Sequence, residues 1–313
     1  MAEPAILVLG GTGFVGRHVV ERLVARGHKV VVPTRRPDRA QHLFVLPTVD
    51  VAVVDINAAA DLKRLVQRAS AVINLVGILN ETDGQTFQRA HVDLARNLSA
   101  TCKAAQVRRL VHMSALNADP AGPSRYLRSK GEAEAEVMGS GLDWTILRPS
   151  VIFGPKDAFL NLFAQLLRFA PVMALAGANA KFQPIYVGDV AECIVRAVGL
   201  PMTVGRTFPL CGPTIYTLRE LVRYTGEVTG RARPIIALGP VLGRLEATTL
   251  EYLPGTMMSR DNLASMQVDS ICGCDFPSEF GIEPQALETI VPSYLGAESA
   301  KSRYNRYRAR GGR

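Results

Sequence analysis

Residues 5–16 read Ala5-Ile6-Leu7-Val8-Leu9-Gly10-Gly11-Thr12-Gly13-Phe14-Val15-Gly16. The apolar run Ala5–Leu9 suits a strand buried on both faces. Beyond it, Val15, Val19, Leu23 and Val24 share one face of a helix expected over Phe14–Arg26. Gly10, Gly13 and Gly16 lie at the bend between the two. One glycine permits the tight turn, another lets backbone approach a pyrophosphate, and the last lets helix and strand pack closely. The helix start then offers unpaired N–H groups and a positive dipole end to phosphate. Strand, bend and helix in this order predict a dinucleotide-binding turn.

Working outward, strands are expected at Lys29–Pro33, Val51–Val54, Ala71–Val76, Leu110–Ser114 and Trp144–Arg148. Helices are expected around Leu62–Val66, at Arg89–Ala105 and at Ser129–Met138. This alternation predicts an α/β fold, a Rossmann-type doubly wound parallel sheet. After Pro149 the pattern loosens, with Pro and Gly frequent from Pro171 to Pro213, a last strand at Phe208–Leu210 and a helix at Leu218–Thr229. The expected organisation is a dinucleotide domain over 1–155, to which 184–230 returns. Residues 156–183 and 231–297 would form a small, mostly helical C-terminal cap, and 298–313 a disordered basic tail.

The second strand runs into Thr34-Arg35-Arg36, where an NAD-preferring fold usually carries an acid for the ribose hydroxyls. Guanidinium groups pair bidentately with phosphate, so Arg35 and Arg36 favour NADP(H) over NAD(H). The alternative is that both are ordinary surface bases. Asp55, followed by Ile56, ends the third strand within reach of an adenine amino group. Val76 and Gly77 end the fourth, where a side-chain-free position lets backbone lie beside the cofactor.

Ser114 ends the next strand, and Tyr126 and Lys130 follow four residues apart, a spacing that shares one helix face. A tyrosine has a pKa of about 10 and is a poor base at neutral pH. A neighbouring cation would stabilise its phenolate and lower that value. So tuned, Tyr126 would exchange a proton with a carbonyl oxygen while hydride moves to or from a nicotinamide. Ser114 would donate a hydrogen bond to the same oxygen.

With the glycine loop and Tyr126-x-x-x-Lys130, the strings Leu147-Arg148-Pro149-Ser150-Val151-Ile152-Phe153-Gly154-Pro155 and Pro184-Ile185-Tyr186-Val187-Gly188-Asp189-Val190-Ala191 complete a pattern. It resembles the atypical or extended branch of the short-chain dehydrogenase/reductase superfamily over nearly the whole chain. Within that branch, Ser124–Lys130, Met258–Leu263 and Phe280–Pro284 resemble the nucleotide-binding accessory subunit of respiratory complex I and its bacterial relatives. The resemblance implies that Gly10, Thr12, Gly13, Phe14 and Val15 touch the pyrophosphate and that Arg35 and Arg36 touch the 2′-phosphate. It implies too that Tyr126 and Lys130 flank the nicotinamide, with Pro149, Ser150 and Val151 along its far side. One departure stands out: His91-Val92 occupies the place where Asn-Val is common, so any proton relay through that Asn is altered here.

Two functions follow as expectations. One is an NAD(P)-dependent oxidoreductase acting on an unidentified carbonyl, alcohol or quinone-related substrate. The other is a non-catalytic NADPH-binding accessory protein of the respiratory chain or quinone biosynthesis. A redox-sensing regulator on the same fold is a third reading.

The composition is that of an ordinary globular protein, 48% hydrophobic and 20% charged over 313 residues. Part of the net charge of +8 gathers in Lys301, Arg303, Arg306, Arg308, Arg310 and Arg313. That tail suits a peripheral contact with anionic lipid or a respiratory complex; nucleic acid is not an expected partner. The start lacks a basic, apolar leader, which reads as cytoplasmic, with contact at the inner face of the membrane. The five cysteines, odd in number and irregular in spacing, suggest free thiols rather than a disulfide framework. The five histidines lack metal-ligand spacing, and no metal is expected. Phe159–Ala170 predicts a helix that either lines a lipophilic entrance or serves ordinary packing.

Overall fold

A computed structural model describes residues 5–82, 84–239 and 259–296. Seven parallel strands form one sheet: β1 Ala5–Leu9, β2 Val30–Thr34, β3 Val49–Val53, β4 Ala69–Asn74, β5 Arg109–Met113, β6 Asp143–Pro149 and β7 Arg206–Leu210. Their order is β7-β6-β5-β4-β1-β2-β3. The order reverses between β1 and β4, and ligands of such sheets bind outside the strand C-termini at that point. Every residue of β1 and β2 is buried, as helices on both faces require.

The helices alternating with these strands are α1 Phe14–Ala25, α2 Ala59–Val66, α3 Leu94–Ala104 and α4 Arg125–Met138. Leu62, Leu65, Leu98, Cys102, Ala133 and Val137 of α2, α3 and α4 close one core with Leu7, Leu9, Val72 and Leu110 of the sheet. Two details depart from the sequence reading. The helix expected at Arg89–Ala105 begins with a wide π turn at Gln88–Asp93. α4 starts four residues early, because the Ser124 hydroxyl accepts from Leu127 N–H at 3.1 Å and caps it. That cap places Tyr126 inside the helix rather than in the loop before it.

The chain divides into two compact units. The first comprises the described parts of Met1–Pro149 with Gly188–Leu210 and Pro277–Ile282. The second comprises Ser150–Val187 and the described parts of Cys211–Phe276 and Glu283–Arg313. The returning stretch therefore ends at Leu210 rather than at 230. The second unit contains α5 Phe159–Phe169, while α6 Val187–Gly199 runs almost wholly through the first. Pro- and Gly-rich neighbours conceal α6 in the sequence, although Val190, Ala191, Ile194 and Ala197 are fully buried. Asp189 lies in its first turn, where a negative charge suits the helix dipole.

In the second unit, α7 Leu218–Val228 opens with a reciprocal cap. Thr217 Oγ1 accepts from Glu220 N–H at 3.2 Å, and the Glu220 carboxylate accepts from Thr217 N–H at 2.7 Å. Leu160, Phe163 and Leu167 of α5 pack with Leu218, Leu221 and Val222 and with Leu287 and Val291 of the last helix, Leu287–Leu295. The α5 residues thus serve a core. Beside these helices, the described residues form three two-stranded sheets.

The free-thiol expectation is corrected in this unit: Cys211 and Cys272 form a disulfide. They are 61 residues apart, beyond the reach of any local spacing rule. Hydrogen bonds from Ser270 N–H to Lys181 O (2.8 Å) and from Cys272 N–H to Gln183 Oε1 (2.9 Å) fix the second partner. Cys102, Cys193 and Cys274 are free, the first two buried. The tail 298–313 lies outside the described residues. Among the described residues, no helix is long and apolar enough to cross a membrane.

Candidate functional site

The bend between β1 and α1 is built around absent side chains. Gly10 has φ +79°, and a Cβ there would sit 3.0 Å from the Leu75 carbonyl carbon and 3.2 Å from Val76 N. Gly13 N–H donates to Gly10 O at 3.0 Å. A Cβ on Gly16 would overlap the Gly10 carbonyl oxygen. Gly13 caps α1 without a side-chain acceptor, and the first turn lacks an acid. The N–H groups and dipole end are thus free for an anion. Val15 and Gly16 are buried, whereas Thr12, Gly13 and Phe14 reach the surface.

A shallow, partly open cleft is lined by Arg35, Ile56, Asn57, Val76, Gln85, Arg89 and neighbouring residues. Ile56, Val76 and Arg35 are therefore brought together, while Arg36, exposed beside Arg35, is not among the lining residues. Thr34 Oγ1 accepts from Arg36 N–H and donates to Arg36 O, both at 3.1 Å, which sets the backbone of this corner. Asp55 turns inward on its own loop: its carboxylate accepts from Asn57 N–H (3.0 Å) and Asn57 Nδ2 (2.8 Å). The bond to Asn57 N–H holds it below the usual carboxylate range, with Arg35 and Arg89 assisting against partial burial. Asn57 and Arg89 were missed by sequence reasoning. An Asp-x-Asn turn after a strand and a base opening a helix were the only signals.

Ser114, Tyr126 and Lys130 lie in the same unit, on β5's end and α4. Ser114 is 3% exposed, and its hydroxyl has no hydrogen-bond partner among the described residues. The half-buried Tyr126 ring meets Phe87 and His91 edge-on, at centroid distances of 6.0 and 5.8 Å. Lys130 is buried, and its Nζ donates to Met113 O at 3.2 Å. A Cβ on Gly77 would lie 3.2 Å from that Nζ, so glycine there makes room for the ammonium.

Electrostatics modify the expectation for the tyrosine. Burial pushes the Tyr126 phenol up to about 12. Burial likewise pushes Lys130 down to about 8, with Glu134 opposing. Desolvation thus governs the phenol, and Tyr126 is protonated at neutral pH. Buried Glu134 is itself fixed by Arg148, whose Nε donates to it at 2.8 Å. Beneath the cluster, Asn74 Nδ2 donates to His112 Nδ1 at 3.2 Å, and burial brings His112 down to about 3.

Pro149 closes β6 and accepts from Leu116 N–H at 3.0 Å. Ser150 and Val151 belong to the second unit, where the Ser150 hydroxyl donates to Ser270 O at 2.8 Å. Among the described residues, no group of acids, histidines and cysteines has the arrangement of a metal site.

A Rossmann sheet, a glycine bend at its switch point and a phosphate-accepting helix start define a nucleotide-binding protein. Residues 10–159 match the family described as NAD(P)H-binding, and this domain is an NAD(P)H-binding domain. The chain is 33% identical over 294 residues to NADH dehydrogenase (ubiquinone) 1 alpha subcomplex subunit 9, mitochondrial, of Mus musculus, covering 90% of this chain and 77% of that protein. It belongs to the family of that subunit. A protein named ceramide reductase, from Caulobacter vibrioides, is 30% identical over 250 residues, 80% of this chain and 78% of its own. The fold matches that of the NADPH-dependent quinone oxidoreductase QOR2 of Escherichia coli, with a TM-score of 0.72 and 20% identity over 93% of this chain and 99% of that one.

Proposed function

We propose that this chain is an NADP(H)-dependent oxidoreductase of the short-chain type. The observation that carries this reading is the buried Ser114 hydroxyl, without a partner among the described residues, one residue beyond the Met113 carbonyl that takes the Lys130 ammonium. A buried hydroxyl left without a partner costs about 1–3 kcal/mol, so the arrangement suits a ligand oxygen. The glycine cradle fits a pyrophosphate, and Arg35, with Arg89 on the same cleft, fits the 2′-phosphate.

NADPH, when bound, supplies a hydride. The chain's part is to hold and protonate the acceptor. Ser114 donates a hydrogen bond to the carbonyl oxygen and fixes its position. Tyr126, protonated at neutral pH, gives that oxygen its proton, and the resulting phenolate is stabilised by the Lys130 ammonium. A phenol raised by burial favours this reducing direction. Pro149 is assigned to the far side of the nicotinamide, and Asp55 acts through Asn57 to shape the adenosine side. The names of two similar proteins, a ceramide reductase and a quinone oxidoreductase, point to a lipophilic carbonyl or quinone as substrate class.

The second reading is an accessory protein that keeps NADPH as a structural ligand within a respiratory complex, docking through its basic C-terminal tail. It is favoured by the family, whose named members are complex I subunits. The test is turnover of NADPH by the purified chain on a panel of aldehydes, ketones and quinones. Turnover that vanishes in Tyr126→Phe while nucleotide stays bound is the expected result. Full activity in that variant would contradict the enzyme reading, and bound NADPH with no turnover on any substrate would favour the accessory one.

A further inference from the structure

The end of β4 leaves the sheet before it passes the glycine bend. Leu75 N–H makes the last ladder bond, to Leu9 O at 2.9 Å. Beyond it two side chains take over. Asn74 Oδ1 accepts from Val76 N–H at 3.2 Å, and His91 Nε2 accepts from Ile78 N–H at 3.1 Å. This same segment touches the bend, since a Cβ on Gly10 would strike Leu75 and Val76.

The state of His91 follows from its partners. A backbone N–H only donates, so Nε2 carries the lone pair. On the other side of the ring, Nδ1 lies 2.8 Å from Ser129 Oγ. The single hydroxyl proton of Ser129 goes to Tyr126 O at 2.8 Å, which leaves Oγ as acceptor for Nδ1–H. Both constraints select the neutral Nδ1–H form. The ring is 2% exposed, stacks on Phe87 at 5.6 Å and has Lys130 and His112 as its charged or titratable neighbours besides Tyr126. It is delivered there by the π turn Gln88–Asp93, a distortion that often marks functional sites.

We infer that His91, fixed as the Nδ1–H tautomer, is a positioning residue that anchors the Leu75–Ile78 segment following β4, which lies beside the glycine bend, and ties it to the backbone of Tyr126. The inference rests on the nucleotide-binding reading for its purpose, though not for its geometry. It gives the departure from Asn at this place a role: the imidazole bridges directly what a smaller side chain spans only in part.

The test uses the full chain and two variants that each keep half of the bridge. Gln at position 91 offers an oxygen near the place of Nε2, whereas Asn offers an amide near the place of Nδ1. In nucleotide-free wild type, ¹⁵N-histidine NMR is expected to show His91 protonated on Nδ1 alone. Ile78 N–H should exchange slowly in wild type and His91→Gln, and quickly in His91→Asn. NADPH affinity should fall roughly tenfold in His91→Asn and within about threefold of wild type in His91→Gln, as expected for one backbone N–H left unpaired. An Nε2–H or doubly protonated ring at neutral pH overturns the inference, as do equal Ile78 exchange and equal affinity in the two variants. If wild type takes up no NADPH, the proposed function falls, while tautomer and exchange still decide the role of His91.

Discussion

A methyl group at Gly16 would lie 2.6 Å from Gly11 Cα and overlap the Gly10 carbonyl oxygen. Neither neighbour is a flexible side-chain end, so the helix start must shift away from β1. Overpacking of this kind costs about 1–3 kcal/mol, and the shift removes the N–H groups from their common focus. Gly16→Ala is expected to lower stability by that amount in urea unfolding and to abolish saturable NADPH binding in a fluorescence titration. Unchanged affinity would contradict the pyrophosphate assignment. At this scale the sequence was highly legible where a requirement is local. The glycine bend is legible because bend, strand and helix are neighbours in the chain. The Tyr126–Lys130 spacing was equally readable, but the surroundings of the pair were not. Burial beside Phe87 and His91, not a cation, dominates the phenol.

Elements brought together across the sheet carry the electrostatic consequences. His91 in the π turn and His112 on β5 are each 2% exposed. Burial first, and the nearby Lys130 second, hold them at about 2 and about 3, against an ordinary value of 6.5. Because both folded values lie below the unfolded one, the unfolded chain binds protons that the folded chain refuses as pH drops below 6.5. Stability is therefore full above that value and is lost progressively on acidification. The expected loss between pH 7 and pH 5 is about 2 kcal/mol per histidine, read as a lower urea midpoint with unchanged slope. A midpoint independent of pH over that range would show that these rings are solvated. The seven strands of the sheet and helices α1, α2, α4, α5 and α7 were foreseen within a few residues, because hydrophobic period and punctuation are properties of short windows; the short paired strands of the second unit were not. The π turn and α6 escaped, the first because its geometry answers to His91's partners and the second because prolines and glycines flank it.

For the whole molecule, the long-range link is the Cys211–Cys272 disulfide of the second unit. Closing a loop of 61 residues restricts the unfolded chain by about 4 kcal/mol on the chain-entropy account. Reductant is expected to lower the melting temperature of wild type to that of Cys272→Ser and to leave the variant unmoved. Identical melting with and without reductant would mean that the bridge does not form in solution. No sequence rule joins two cysteines so far apart; the bond depends on where Ser270–Cys272 lies against Gln183. The regular alternation that stops near Pro149 and the late strand at Phe208–Leu210 are features of short windows, whereas the end of the returning stretch at Leu210 answers to tertiary packing. The central claim is that the bend at Gly10–Gly16 and the Arg35 corner together receive a phosphorylated dinucleotide. Parallel calorimetric titrations of NADPH and NADH into wild type and into Arg35→Asp/Arg36→Ala test it most directly. Wild type should bind NADPH at least roughly tenfold more tightly than NADH, and the variant should lose that margin while keeping its NADH affinity. Absence of saturable binding of either nucleotide to wild type, or an equal loss of both in the variant, would contradict it.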